Sequence, residues 1–135
     1  MRLASEIHSA GAFVASNGEL AWRRDDIETA LNAIRDSDQA ILGGEVWIIT
    51  GEHSWDGLIP QRGGGPPAVW HWETKPRSAS ESWRQYCTRT TAESVKAVRD
   101  MRVEQATPPE LIGRLRFNVT YIVEPKTHLG DAANG

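Results

Sequence analysis

The sequence predicts an α+β fold in which two helices pack on an antiparallel or mixed sheet of at least three strands, within a single domain. Residues 41–50 form the most apolar run of the chain and are predicted to be a buried strand. Two segments, about 26–37 and 79–103, carry apolar residues three or four positions apart, which is typical of amphipathic helices. Residues 114–124 alternate between apolar and polar side chains, as a strand with one buried face does.

The 41–50 strand has apolar side chains at both odd and even positions, namely Val46, Trp47, Ile48 and Ile49. A strand with one wet face should alternate, so both faces of this one are expected to be covered, with Trp47 in the core. Gly43-Gly44 allow a tight turn or the close passage of another backbone. Glu45 lies where the buried strand begins, and it is either a solvated strand end or a polar group placed for a partner or substrate.

The first helix, about 26–37, is expected to begin with Asp25 capping its first turn and Glu28 answering as in a capping box. Its apolar stripe consists of Ile27, Ala30, Leu31 and Ile34. The opposite face is polar and includes Asp26 and Asp36. That face is expected to meet solvent, although its carboxylates also offer a contact surface to a partner.

The second helix, about 79–103, follows a capping box predicted from Ser78 and Glu81. Trp83 begins the apolar stripe of this helix and is predicted to be a core residue. Cys87 lies on the same stripe, where a buried and unreactive thiol is expected, because a reactive thiolate needs an electropositive and partly exposed site.

The remaining segments are a strand, a loop and two weakly patterned ends. Residues 69–74 are predicted to be a strand by alternation. One face carries Trp70, Trp72 and Thr74, and the other carries Val69, His71 and Glu73. Residues 51–67 have no helical or strand period and are predicted to be a surface loop, with three glycines at 63–65. Residues 1–19 are weakly patterned, and 126–135 are expected to form a flexible tail.

Composition narrows the class of protein. The chain has 135 residues, so one domain is expected, and its net charge of −3 argues against a nucleic-acid-binding protein, which usually has a basic face. A single cysteine excludes an internal disulfide framework and a cysteine-based zinc site. The absence of a signal-like segment and of a long apolar run favours a cytoplasmic protein without a membrane span.

The candidate functional residues lie at the start of the 51–67 loop and at the head of the central strand. Glu52, His53, Trp55 and Asp56 place an aromatic side chain among carboxylates, and Glu45 is added from the strand. His53 with its acidic neighbours could begin a metal site or an acid–base pair, but such a surface cluster is more often solvated. No metalloprotease, serine-hydrolase or phosphate-loop pattern occurs. Catalysis, a metal and a cofactor are therefore not expected.

At Leu42-Gly43-Gly44-Glu45-Val46 the chain resembles the small bacterial immunity proteins of polymorphic toxin systems, in particular the family catalogued as immunity protein 40. The shared order is a helix, here 27–34, then an apolar strand opening on Gly-Gly-acid-Val, a variable loop and a Trp-bearing segment, here 70–73. A helix with an aromatic-rich start follows, here 81–86. The resemblance covers roughly residues 20–100. Gly-Gly-Gly-Pro-Pro in the loop and the segment beyond 103 depart from the pattern.

The resemblance implies a single immunity-protein-like domain over residues 1–135. Such a protein binds and neutralises one cognate toxin, through the toxin's C-terminal domain, in the bacterium that produces both. It implies no catalysis and no cofactor. The residues expected to bind the toxin are Glu52, His53, Trp55, Asp56 and Glu45, unless Trp55 merely packs the loop onto the sheet. The alternative is a small enzyme or ligand-binding domain that uses the 51–67 loop.

Overall fold

The computed structural model describes residues 11–126 of the chain. The described elements are, in order, β1 (Phe13–Val14), β2 (Leu20–Trp22), α1 (Arg24–Asp36), β3 (Gln39–Ile49), β4 (Trp55–Asp56), β5 (His71–Glu73), α2 (Trp83–Asp100), α3 (Val103–Ala106), a 3-10 helix (Pro109–Arg114) and β6 (Leu115–Val123). The predicted α+β class is confirmed, with the short helix α3 added to the two predicted helices. The expected tail beyond 126 lies outside the described residues.

Strand β3 is the centre of a six-stranded antiparallel sheet formed by the described residues. It pairs along one side with β6, from Gln39 opposite Val123 to Ile48 opposite Leu115, and along the other side with β5 and β4. The strand order is β1-β2-β6-β3-β4, with β5 also on β3. The predictions of a central buried strand and of an antiparallel or mixed sheet are confirmed, and the described strands are all antiparallel.

Helices α1 and α2 cover one face of this sheet, which we call the inner face. The main core on that face includes Trp22, Ile27, Leu31, Ile34, Ile41, Val46, Ile48, Val98 and Phe117. The opposite, outer face of β3 carries Trp47, which is 1% exposed. Trp47 is covered there by Phe13, Ala15 and Trp55, because the sheet curls and brings β1 over β3. Both faces of the central strand are thus buried, as its apolar pattern predicts.

The two glycines of β3 make room for a tryptophan and a carbonyl. A Cβ atom on Gly44 would overlap the indole of Trp72 and the carbonyl oxygen of Asn118, and one on Gly43 would overlap the carbonyl oxygen of Trp72. The Trp72 ring packs in the main core, and its Nε1 donates to Ser94 Oγ of α2 at 3.0 Å. The close backbone passage expected at Gly43-Gly44 is confirmed.

The N-cap of helix α2 is Ser82, four residues later than the predicted cap. Ser82 Oγ accepts from the Gln85 amide at 3.0 Å, and Gln85 Oε1 accepts from the Ser82 amide at 2.8 Å, which completes a capping box. The predicted cap, Ser78, lies in the preceding turn, where its amide donates to Glu81 Oε1 at 3.2 Å. The same Glu81 carboxylate accepts from Arg89 of α2 at 2.6 Å, which holds this turn against the helix.

Helix α1 begins at Arg24, and its N-cap, Arg23, makes no side-chain capping bond. Asp25 lies inside the first turn, so its predicted capping role is wrong. Without a side-chain cap, the start of α1 is secured by Arg24, which donates to Glu104 of α3 at 2.8 Å and to the Val98 carbonyl of α2 at 2.6 Å. The start of α1 is thereby tied to both following helices.

The 51–67 segment is more ordered than a loop without secondary structure. Residues Trp55–Asp56 form β4 and close a hairpin with β3, in which the Thr50 amide donates to the Ser54 carbonyl at 3.0 Å. Ile59 is fully buried and forms an isolated bridge with Ala68. The part that remains a loop is centred on the three glycines at 63–65, whose positive φ angles of 84°, 91° and 93° suit glycine.

Candidate partner-binding surface

Trp55 is stacked on the sheet. Its ring lies 3.8 Å from that of Trp47, centroid to centroid, with 7° between the ring planes. Phe13 meets the same Trp47 ring edge-on at 6.3 Å. Trp55 is half-buried, so most of its apolar area is already used inside the molecule. Of the two roles left open for Trp55, the structure favours packing of the hairpin onto the sheet.

Glu45 and His53 also make intramolecular contacts. Glu45 Oε1 accepts from Trp47 Nε1 at 3.0 Å, which satisfies the indole donor at the edge of the aromatic stack. His53 Nδ1 lies 3.0 Å from the Val14 carbonyl oxygen and donates to it, while the His53 carbonyl accepts from the Ser16 amide at 3.0 Å. His53 therefore ties the β3–β4 hairpin to the β1 end of the curled sheet.

Glu52 and Asp56 remain exposed at the hairpin. Asp56 Oδ1 accepts from the Leu58 amide at 2.9 Å, and Glu52 accepts no hydrogen bond from residues 11–126. The structure brings Glu45 and Trp55 together beside Gly57. A Cβ atom built on Gly57 would lie 3.6 Å from Glu45 Oε2 and 3.6 Å from the Trp55 ring. No side-chain hydrogen bond between described residues joins Glu52 or Asp56 to that pair, so these four predicted residues are not joined into one site.

A groove with a cavity volume of about 420 Å³ lies on the outer face over Gly43. Its charged and polar walls are formed by Glu45 of β3, His71 and Glu73 of β5, and Asn118 of β6, which face one another because Glu45 pairs with both His71 and Asn118. Asn118 is 4% exposed, and its Nδ2 donates to the Leu20 carbonyl at 2.9 Å. The backbone of Gly43 forms the floor, so no side chain fills the space between Glu45 and Glu73.

Of these groove residues, only Glu45 is among the predicted site residues. The alternation of residues 69–74 already places His71 and Glu73 on one face of their strand. The alternation of residues 114–124 places Asn118 on the polar face of its strand. Their meeting with Glu45 depends on the register of β3 against β5 and β6, which alternation does not specify.

The carboxylates of the outer face differ from those of the helices in their ion pairing. Within the described part of the chain, Glu45 and Glu73 of this face form no salt bridge, and neither do Glu52 and Asp56 of the hairpin. The cation Arg116 also lies on this face, opposite Trp47, and donates to the carbonyls of Gly113 and Leu115. Arg114 and Arg116 together line a depression beside Thr50 and Gly51 of the hairpin. Burial and the nearby Arg23 lower the pKa of Arg116.

On the helical side, charges are largely neutralised in pairs. Asp36, a carboxylate of the alternative contact surface on α1, lies 3.0 Å from its neighbour Arg35. Arg24 of α1 pairs with Glu104 of α3 at 2.7 Å. Further pairs involve α2: Arg84 with Asp38 at 3.0 Å, Arg89 with Glu81 at 2.6 Å, Lys96 with Asp100 at 2.6 Å, and Arg99 with Glu28 at 2.7 Å. Among the described residues, carboxylates without an ion pair lie on the outer face and its hairpin, but Asp25 and Asp26 of α1 are unpaired as well, so the alternative contact surface keeps one of its two predicted carboxylates, Asp26, free of a counter-charge.

Cys87 is fully buried beside Trp83 and Tyr86, and burial raises the pKa of its thiol. It is thus a neutral core residue, as predicted. Between residues 11 and 126, no group of three or more His, Cys, Asp or Glu side chains is arranged to hold a metal ion. In the same part of the chain, no helix has both the length and the apolar character that crossing a membrane requires.

Comparison with protein-family models, with curated proteins and with solved structures finds no match to this chain. The resemblance to immunity proteins therefore stays a prediction.

Proposed function

We propose that the protein is an immunity protein that binds and neutralises a cognate toxin domain in the bacterium that produces both. The observation that carries the proposal is the contrast between the two sides of the molecule. The outer-face and hairpin carboxylates Glu45, Glu52, Asp56 and Glu73 form no salt bridge with the described residues, whereas four cations of α2 each pair with a carboxylate, namely Arg84, Arg89, Lys96 and Arg99. An acidic surface of this kind attracts a basic partner and raises the rate of productive encounter.

The proposal fits the bulk properties of the chain. A net charge of −3 in 135 residues suits a small inhibitor of a basic effector domain. The enzyme alternative has less support, because the two residues that it would use for acid–base chemistry make structural contacts. Glu45 accepts from Trp47, and His53 donates to Val14.

Co-expression with the toxin domain encoded beside this gene tests the proposal. Wild-type protein is expected to restore growth and to form a complex that survives purification. The variant Glu52→Lys, Glu73→Lys should bind more slowly, by about tenfold or more at low ionic strength, and protect poorly. Both residues are exposed and form no hydrogen bond or ion pair with the described residues, so the variant should melt like wild type.

A matched control carries the same change in net charge elsewhere. Asp100→Lys, Glu110→Lys alters two exposed positions, one on α2 and one on the 3-10 helix, and should protect as well as wild type. Trp55 is a poor probe of binding, because its stack on Trp47 makes its truncation a stability change. If wild type neither binds nor protects against the neighbouring toxin domain, the proposed function is wrong. If both charge variants lose protection equally, the outer face is not the contact surface.

A further inference from the structure

Strand β5 has one paired edge and one free edge. The amides and carbonyls that face β3 belong to even-numbered residues: the Val46 amide donates to the Trp70 carbonyl at 2.8 Å, and the Thr74 amide donates to the Leu42 carbonyl at 3.0 Å. Antiparallel ladders alternate, so the amides and carbonyls of His71 and Glu73 point away from β3. No other strand of the described part pairs with β5, and both residues are exposed.

This free edge is held rigidly in an extended conformation. Trp72 is 7% exposed and fastened to α2 through its bond to Ser94. Thr74 Oγ1 donates to the Ile41 carbonyl at 2.7 Å, and Arg89 donates to the Lys75 carbonyl at 3.1 Å. A strand that is already ordered does not lose conformational entropy when another strand pairs with it.

The side chains beside the edge specify the charge of a pairing segment. Glu73 is exposed on the outer face, and the groove over Gly43 separates it from Glu45. A strand added to β5 would project alternate side chains over this face, next to His71 and Glu73. A lysine or arginine at such a position would lie beside the Glu73 carboxylate, which forms no ion pair with the described residues, whereas the Glu45 carboxylate is turned toward Trp47.

We propose that an extended, basic segment of the toxin domain pairs with the free edge of β5 and places one lysine or arginine side chain in the groove beside Glu73. The proposal rests on the proposed function, and it supplies the mode of contact. The pairing is confined to the few residues between Pro67 and Pro76, because proline cannot donate to a ladder. A short edge bounded by prolines also limits indiscriminate pairing with other chains.

Amide hydrogen exchange, read residue by residue by NMR on the full chain alone and with the neighbouring toxin domain, tests the pairing directly. In the free protein the amides of His71 and Glu73 should exchange quickly, because no described acceptor faces them. In the complex at least one of them should slow by about tenfold or more as a ladder bond forms. The amide of Trp72, which already faces β3, serves as the internal reference and should be protected in both states.

Two variants at one position separate the backbone contact from the side chain. His71→Pro removes the outward-facing amide and leaves the bonds to β3 in place, whereas His71→Ala keeps that amide and removes the imidazole. His71→Pro is expected to weaken binding by about tenfold or more, and His71→Ala to change it little. Thermal melting checks that both variants fold. If His71→Pro does not fold, the hydrogen-exchange measurement on the wild-type complex decides whether the strands pair.

The outcomes distinguish this inference from the function on which it rests. A complex in which the amides of His71 and Glu73 exchange as fast as in the free protein would overturn strand pairing and leave the immunity function standing. Equal affinity of the folded proline and alanine variants would overturn it as well. Failure of wild type to bind the toxin domain at all would overturn both.

Discussion

Removing the Trp47 side chain should reveal how strongly the outer aromatic cluster holds the curled sheet together. Trp47 is 1% exposed, stacks on Trp55 and touches Phe13, and its Nε1 donates to Glu45. Truncating a buried tryptophan to alanine costs about 3–5 kcal/mol of unfolding free energy. In a domain of this size, where 1 kcal/mol shifts the melting temperature by about 3 °C, Trp47→Ala should melt about 10–15 °C below wild type.

The conservative variant divides that loss between packing and hydrogen bonding. Trp47→Phe keeps an aromatic ring on Trp55 but removes the donor to Glu45 and leaves a smaller void, so it should cost only about 1–2 kcal/mol. Urea denaturation should be followed by far-ultraviolet circular dichroism, because tryptophan fluorescence changes with the substitution itself. The difference between the two variants then measures the packing of the larger ring.

A double-mutant cycle with Trp55→Ala isolates the stack. If the rings stabilise each other as their 3.8 Å separation indicates, the double variant should lose about 1 kcal/mol less than the sum of the single losses. Additive losses would mean that the stack contributes no energy of its own. A loss below about 1 kcal/mol for Trp47→Ala would refute the reasoning that makes this side chain part of the core.

Two further substitutions test the packing of β3 and the acid stability of the helical side. Gly44→Ala should lower the melting temperature markedly, because its Cβ would overlap the Trp72 ring and the Asn118 carbonyl. Gly64→Ala is the comparison for backbone strain alone, because no atom lies near its Cβ position while its φ is 91°. Burial acts to raise the pKa of Glu104, but the hydrogen bonds from Arg24 outweigh it, so the folded-state pKa lies below the ordinary 4.5. The stability that Glu104 contributes is therefore present above that value and lost as the pH falls through the folded-state pKa. Glu104→Gln should make the unfolding free energy less dependent on pH below about 4.5, and an acid limb identical to that of wild type would contradict this.

The sequence determines most of the secondary structure, because the signals are local. The apolar stripe of α1 and the alternation of β6 follow from helical and strand geometry, and no distant residue is needed to recognise them. The lack of alternation at 41–50 likewise predicts that both faces of β3 are buried. The start of α2 is less well determined, because one local pattern occurs twice: Ser78–Glu81 and Ser82–Gln85 both match a capping box. In the structure the second pair caps the helix, and the Glu81 carboxylate accepts from Arg89.

The arrangement of the candidate surface was decided by tertiary structure. Trp55 looked like a free anchor in a loop because its partner, Trp47, lies on another strand, and only the hairpin register stacks the two rings. Glu45 was recognised as a polar residue on a buried strand, but its neighbours His71 and Glu73 come from a strand more than twenty residues away. Sequence alternation assigns a side chain to a face, whereas the strand register decides which side chains share it, because a shift of one residue exchanges the two faces of a strand.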